Sequence, residues 1–487
     1  MTAPPEEAPR DPGMARAWRV TVVGAGIAGL ACARRLDALA RETRRPLDLT
    51  LLDAAERPGG VIVTERCDGF LLEGGPDCFI SDKPWAIDLC RGLGLEEEIL
   101  GTNPACRRSF VLHGRRLVPI PEGYQLLAPS RVMPFLTSRV LSLPGKLRVA
   151  CDLFLPRGPE VGDESLASFV RRRLGREALE RLAQPLVAGI YNADPERLSL
   201  RATFPRFLDM ERSERSVILA LLKGRRRAPG EATGVSGARY SLFVTLRQGL
   251  QALVDRLTAR LPPGALRLRA RVASLVRAPR GDGWLLTTAS GERTAADAVV
   301  LALPAHAAAA IVRGLDAGLS DSLAGIPYGT SATVSLAYRR ADLRRAPDGF
   351  GFVVPRSERR ALVACSFSSV KFAGRAPDGM VLLRAFLGGP TAEDADAVRL
   401  ERLARDDLRD ILGVETAPLF ARTFVYRRAM AQYAVGHLER VAAIERGLQG
   451  HPGLALAGNG LRGVGLPDCV RSGELAAERL AAEVNRG

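Results

Sequence analysis

The chain has 487 residues, enough for two or three domains with substantial cores. With 47% apolar and 25% charged residues it is not a disordered, collagenous or fibrous protein. The formal charge is +15, but only four of the 69 basic residues are lysines (Lys83, Lys146, Lys223, Lys371), and no nucleic-acid motif accompanies the arginines, so no nucleic-acid partner is expected.

Taken in chain order, residues 1–16 are too polar and proline-rich to insert in a membrane or join a strand, and read as a loose tail. From Arg19 a β-branched run, a glycine turn and apolar residues at helical spacing (Ile27, Leu30, Ala31, Leu36) predict strand, turn and helix. A second apolar run over 47–52 ends in Asp53, which makes the opening unit a right-handed parallel crossover. Residues 92–205 read as helices punctuated by Pro129, Pro134, Pro144 and Pro156. Strands return at 266–276, 284–288, 298–303, 331–338, 351–354, 362–366 and 381–387, and a helical pattern covers 392–412. The stretch 295–312 is the most apolar, but Asp297, Pro304 and His306 interrupt it, so no membrane span is expected. The end of the chain returns to a strand, a loop and a helix. The expected fold is α/β: a Rossmann-type dinucleotide domain assembled from 17–91, 245–306 and 450–487, a helical inserted domain over 92–205, and a sheet-based substrate domain from 206–244 and 307–449.

Eight cysteines are scattered without a C-x-x-C pair, and the four histidines do not cluster with them, so no metal site is expected. With no signal peptide, they read as reduced thiols of a cytoplasmic protein.

The chemistry is concentrated in the glycine turn. Gly24 permits the tight bend, Gly26 lets backbone approach a pyrophosphate, and Gly29 lets helix pack on strand. The helix N-terminus that follows suits phosphate. Asp53 lies 24 residues after Gly29 at the end of the second strand, where a carboxylate binds ribose hydroxyls; the plainer reading is a strand-end turn residue. Arg57, Gly59 and Gly60 follow directly, a second glycine pair that favours FAD over a nicotinamide dinucleotide.

These motifs belong to a longer set: V-V-G-A-G-I-A-G-L, D-A-A-E-R-P-G-G, L-E-G-G-P-D-C-F, G-I-Y-N-A-D-P-E-R-L-S and L-A-G-N-G-L-R-G-V-G-L-P-D-C-V-R-S-G. Together they resemble the protoporphyrinogen oxidase family, within the FAD-dependent amine-oxidase-like superfamily, from about residue 18 to the end. The resemblance implies non-covalent FAD, with Gly24, Ala25, Gly26, Ile27, Ala28 and Gly29 around the pyrophosphate, and Asp53 and Ala54 at the adenosine ribose. It places Val61, Gly75, Pro76, Asp77 and Cys78 on the flavin side and the Val272 backbone at the adenine, with Arg57, Gly59 and Gly60 among the cofactor-binding candidates. Asn459, Val464, Gly465 and Leu466 would sit against the ring, with the helix after Pro467 directing its positive end at reduced flavin. For the substrate it implies Arg108 at a propionate, the Gly189 backbone against the pyrroles, and Phe350 or Phe352 on the macrocycle. Each residue has a plainer role available: a turn glycine, an exposed arginine or a core phenylalanine.

No acid, base or nucleophile set stands out, and the implied chemistry requires none: hydride passes from a bridging carbon to flavin while a pyrrole proton leaves to water. Three such steps would turn protoporphyrinogen IX into protoporphyrin IX, with dioxygen as acceptor and hydrogen peroxide as by-product. Coproporphyrinogen III is the nearest alternative substrate. A flavin amine oxidase or a carotenoid desaturase is a second, although Leu461 and Val464 stand where an amine would need an aromatic cage, and a non-enzymatic flavin sensor is a third. Residues 130–154 combine Met133, Phe135, Leu136, Val140, Leu141 and Leu143 with Arg131, Arg139, Lys146 and Arg148, a composition suited either to the cytoplasmic face of a membrane or to a buried domain face. The resemblance also admits a homodimer.

Overall fold

The computed structural model describes residues 16–158, 162–227, 242–279, 283–345 and 347–484. Of the tail expected over residues 1–16, all but Arg16 lies outside them.

A five-stranded parallel sheet forms the centre of the dinucleotide domain, in the order Leu266–Arg267, Leu47–Leu52, Trp18–Val23, Ala298–Leu301, Leu454–Leu456. Val20 pairs with both Leu49 and Ala298, and Val300 with Ala455, so segments far apart in sequence meet as neighbouring strands. Helix Ile27–Glu42 and the last helix, Leu466–Val484, pack backbone to backbone: a Cβ at Gly473 would stand 2.0 Å from the Ala28 carbonyl oxygen. The two ends of the chain therefore meet at one sheet. The strand expected over 266–276 is two, because the chain turns at Arg269 (φ 56°): Leu266–Arg267 stays in the parallel sheet while Val272–Arg277 starts an antiparallel three-stranded meander.

A seven-stranded mixed sheet carries the second domain: Phe420–Ala431, Tyr328–Arg339, Met380–Gly388, Leu362–Phe367, Gly351–Val353, Ser109–His113 and Arg116–Pro119. Helix Ala397–Leu412 covers one face with Leu400, Ala404, Leu408 and Ile411. It begins later than the pattern from Ala392 predicts because the Asp396 side chain accepts from the Arg399 N–H at 2.8 Å and caps it there. Ser109–His113 and Arg116–Pro119 fall inside the stretch expected to be helical. They are strands because Ser109–His113 runs parallel to Gly351–Val353, more than two hundred residues on, a partner that no local pattern announces. Phe420–Ala431 is half-exposed along its length and so lacks the apolar run that marks an inner strand.

The core shared by the helices of 92–205 also takes in residues past 205. Helices Pro205–Glu214 and Val217–Arg227 bring Phe207, Val217, Ile218 and Leu221 into one core with Phe169, Leu182 and Val187. Arg173 lies fully inside with Asp152 and donates from Nε to Oδ1 at 2.6 Å, while the Ser216 hydroxyl donates to Oδ2 at 2.6 Å. Within 130–154 the helices Val132–Thr137 and Leu143–Ala150 turn Phe135, Val140, Leu141 and Val149 inward. Val132, Met133, Leu136, Leu143, Leu147 and Phe154 remain exposed, Phe154 by 81%.

Candidate active site

The glycine turn follows strand Trp18–Val23. Gly24 has φ 105°, and a Cβ there would sit 2.4 Å from the Ala302 carbonyl oxygen, so only glycine passes. A Cβ on Gly29 would lie 1.8 Å from the Gly24 carbonyl oxygen, which is how closely the helix returns over the turn. Gly26 is different: nothing lies within 4 Å of the position its Cβ would take, and no side chain caps the helix that starts after it. Open space, uncapped N–H groups and the helix dipole, with no acidic residue in the first turn, form a cradle for a pyrophosphate, with Ala25, Ile27 and Ala28 forming its backbone.

Asp53 closes the turn. Its carboxylate accepts from the Ala25 N–H at 2.6 Å and the Ala55 N–H at 2.7 Å, and each oxygen keeps a lone pair for a ribose hydroxyl. Ala54 beside it is exposed. The meander strand beginning at Val272 lies alongside, because the Ala270 N–H donates to the Asp53 carbonyl oxygen at 2.7 Å. The Gly59 N–H donates to the Ala25 carbonyl oxygen at 2.7 Å, and Gly60 packs on Gly26. Arg57 shapes this loop: its guanidinium donates to the carbonyl oxygens of Pro58, Gly60 and Ile62. Val61 stands 43% exposed above, and Gly75 touches its carbonyl so closely that a Cβ would come within 1.8 Å. Pro76, Asp77 and Cys78 continue from Gly75, with Asp77 and Cys78 against Lys371.

On the C-terminal side the Asn459 carboxamide is already engaged: Nδ2 donates to the Ala429 carbonyl oxygen at 2.9 Å, and Oδ1 accepts from the Tyr328 hydroxyl at 3.2 Å. The Tyr433 hydroxyl donates to the Asn459 carbonyl oxygen at 2.7 Å, and the Tyr433 ring stacks on His437 at 3.9 Å. Tyr328, Tyr433 and His437 were not singled out in the sequence, where nothing links them to Asn459. Val464 packs against the helical core, and Gly465 and Leu466 lead into the last helix. Asp468 in its first turn is matched by Lys83, whose Nζ stands 2.6 Å from Oδ1, so the carboxylate does not cancel the positive end of the helix.

The substrate candidates divide. A Cβ on Gly189, in helix Gln184–Tyr191, would meet only the Val353 side chain, at 3.8 Å, so its backbone faces open space against strand Gly351–Val353. Phe350 is half-buried beside that strand. Phe352 does not present its ring there: it is 2% exposed and packs edge-on against Phe367 in the sheet core, at 5.9 Å. Strand alternation turns Val353 to the opposite side, towards Gly189. Arg108 is 60% exposed and paired with Asp348 at 3.3 Å, on the surface at the mouth of its strand.

A profile of the flavin containing amine oxidoreductases matches residues 27–481, from the helix that follows the glycine turn to the last helix. The chain belongs to that family. This flavin oxidoreductase is 34% identical over 463 residues to the coproporphyrinogen III oxidase of Bacillus subtilis, covering 94% of this chain and 96% of the relative. It is 31% identical over 499 residues to the chloroplastic protoporphyrinogen oxidase of Oryza sativa subsp. japonica, covering 98% and 90%. A solved structure from Exiguobacterium sp. 255-15, provisionally named protoporphyrinogen oxidase, superposes with a TM-score of 0.84 at 30% identity, covering 96% of this chain and 99% of the other. The cofactor of the flavin oxidoreductase is FAD, and the cradle at Gly26 with the carboxylate of Asp53 fits a dinucleotide.

Proposed function

We propose that this protein oxidises coproporphyrinogen III to coproporphyrin III in three two-electron steps, with dioxygen as acceptor and hydrogen peroxide as by-product. The observation that carries the reading is the likeness to the coproporphyrinogen III oxidase of Bacillus subtilis, 34% identical against 31% for the chloroplastic protoporphyrinogen oxidase of Oryza sativa subsp. japonica, over both the cofactor cradle and the substrate side. That likeness also moves coproporphyrinogen III ahead of the protoporphyrinogen IX expected first from the sequence.

When bound, FAD supplies the electron-pair acceptor. The chain supplies position. The 24–29 turn would hold the pyrophosphate and Asp53 the ribose, and the Gly189 backbone with Val353 would flank the face on which a flat macrocycle rests. No acid or base is assigned, because water takes the pyrrole proton.

The six exposed apolar side chains of 130–154, beside Arg131, Arg139 and Lys146, support a peripheral contact with the anionic cytoplasmic face of a membrane, close to a poorly soluble product. Among the described residues no helix is long and apolar enough to cross a membrane.

The deciding experiment is anaerobic: purified holoenzyme is mixed with coproporphyrinogen III, protoporphyrinogen IX or an amine, and the loss of the flavin visible band is timed. Fastest bleaching by coproporphyrinogen III is expected. Faster bleaching by protoporphyrinogen IX exchanges the substrates, and bleaching by an amine alone refutes the reading.

A further inference from the structure

Residues 74–78 connect strand Phe70–Glu73 to strand Phe79–Ile80 and touch both halves of the molecule. On one side Gly75 rests on the Val61 carbonyl, within the loop that Gly59 ties to the pyrophosphate turn. On the other side the seven-stranded sheet grips the segment. The Thr333 hydroxyl donates to the Gly74 carbonyl oxygen at 2.8 Å, the Arg384 guanidinium donates to the carbonyl oxygens of Gly74 and Gly75, and the Phe424 ring lies 2.8 Å from where a Gly74 Cβ would be. Lys371 completes the grip: its Nζ stands 2.9 Å from Asp77 Oδ2 and 3.2 Å from Cys78 Sγ, and Arg384 comes within 3.8 Å of Asp77 Oδ1.

The charges here do not cancel. Lys371, Arg384 and Arg375 face Asp77 and Glu73, and Arg375 spends its donors on the Arg247 and Leu246 carbonyls and the Thr245 hydroxyl. Burial would raise the Asp77 carboxyl, but Lys371 and Arg384 overcome it and hold the group ionised. Burial raises Glu73 to about 7, so near neutral pH it carries only part of its charge. The Arg384 side chain is 3% exposed, and water screens these charges weakly.

We propose that Lys371 and Arg384 are positioning residues that clamp 74–78 against the flavin, and that their excess positive charge makes the flavin easier to reduce. A preorganised cation beside a group that becomes negative stabilises the reduced state at no cost of reorganisation. The inference rests on placing 74–78 at the flavin and on the FAD cofactor; it does not depend on which porphyrinogen is oxidised.

The test uses holoenzyme without substrate: the two-electron midpoint potential by dye equilibration, and the FAD dissociation constant, for wild type, Lys371→Met, Arg384→Met, Arg384→Lys and Asp77→Asn. Lys371→Met and Arg384→Met are expected to lower the preference for reduced over oxidised flavin about tenfold, equivalent to ~30 mV for a two-electron couple. Asp77→Asn is expected to move the potential the opposite way. Arg384→Lys keeps the wild-type potential while weakening FAD binding, because it retains the charge but not the two-carbonyl geometry. Potentials that stay at the wild-type value, or that shift in one direction whichever sign of charge is removed, overturn the proposal. If Arg384→Met does not fold, the opposed signs of Lys371→Met and Asp77→Asn carry the test. A shift in potential without any porphyrinogen oxidation would uphold the clamp and refute the substrate reading.

Discussion

Replacing Gly26 and Gly29 separately with alanine separates cofactor binding from folding. At Gly29 the new methyl would stand 1.8 Å from the Gly24 carbonyl oxygen and 3.3 Å from Ala302 Cβ, so helix Ile27–Glu42 has to retreat by more than 1 Å from a close-packed turn. Overpacking of this kind costs about 1–3 kcal/mol, and Gly29→Ala should show that loss as apoprotein. At Gly26 the methyl meets no atom within 4 Å, and the backbone (φ −69°, ψ 177°) is open to any residue, so apo Gly26→Ala should match wild type in urea or thermal unfolding. Its methyl instead occupies the space a phosphate must enter. A tenfold loss of FAD affinity, about 1.4 kcal/mol, is a conservative expectation, and the stabilisation conferred by excess FAD should fall by the same amount. Unfolding curves of the apoproteins with and without added FAD, together with flavin fluorescence titrations, read both quantities. If Gly26→Ala binds FAD as tightly as wild type, the pyrophosphate does not sit over that turn; if apo Gly29→Ala is as stable as wild type, the backbone contact is not what fixes the helix.

Glu73 predicts a pH dependence. Its folded value of about 7 lies above the ordinary 4.5, so the native state holds the proton longer, and its contribution is greatest below pH 4.5 and lost as pH rises to about 7, by ~3 kcal/mol in all; Glu73→Gln should flatten that part of the stability profile in urea titrations. Arg173→Met strands the buried Asp152 carboxylate and should cost about 3–5 kcal/mol, whereas Arg344→Ala breaks a pair whose side chains are 72% and 67% exposed and should leave the unfolding midpoint unchanged. Phe154→Ser with Leu143→Ser should leave flavin content unaltered and abolish co-sedimentation with anionic vesicles; retained binding would move the membrane contact elsewhere.

How far the site was legible depends on whether its determinants are local. The 24–29 turn and Asp53 could be read because strand, glycine spacing and strand-end carboxylate lie within one crossover of about thirty residues, and the structure brings them together through the Ala25 N–H. Phe352 and Val353 show the limit. Either side of the strand fits the sequence, and which side is core is settled by helix Ala397–Leu412 packing onto one face, leaving Val353 towards Gly189. Arg108 directly precedes strand Ser109–His113, and its Asp348 partner belongs to the loop before Gly351–Val353, a neighbour visible only after the parallel pairing forms.

The amino-acid order by itself determined the dinucleotide turn and the strand and helix patterns at both ends of the chain, because each depends on backbone conformation and periodicity within a few turns of chain, while the flavin class followed from the motifs' resemblance to a known family. Only the tertiary structure decided which side chains reach the site and which charges accompany them. Lys371 meets Asp77 across 294 residues, and an ion pair formed over that distance is set by how two domains close, for which local spacing carries no signal.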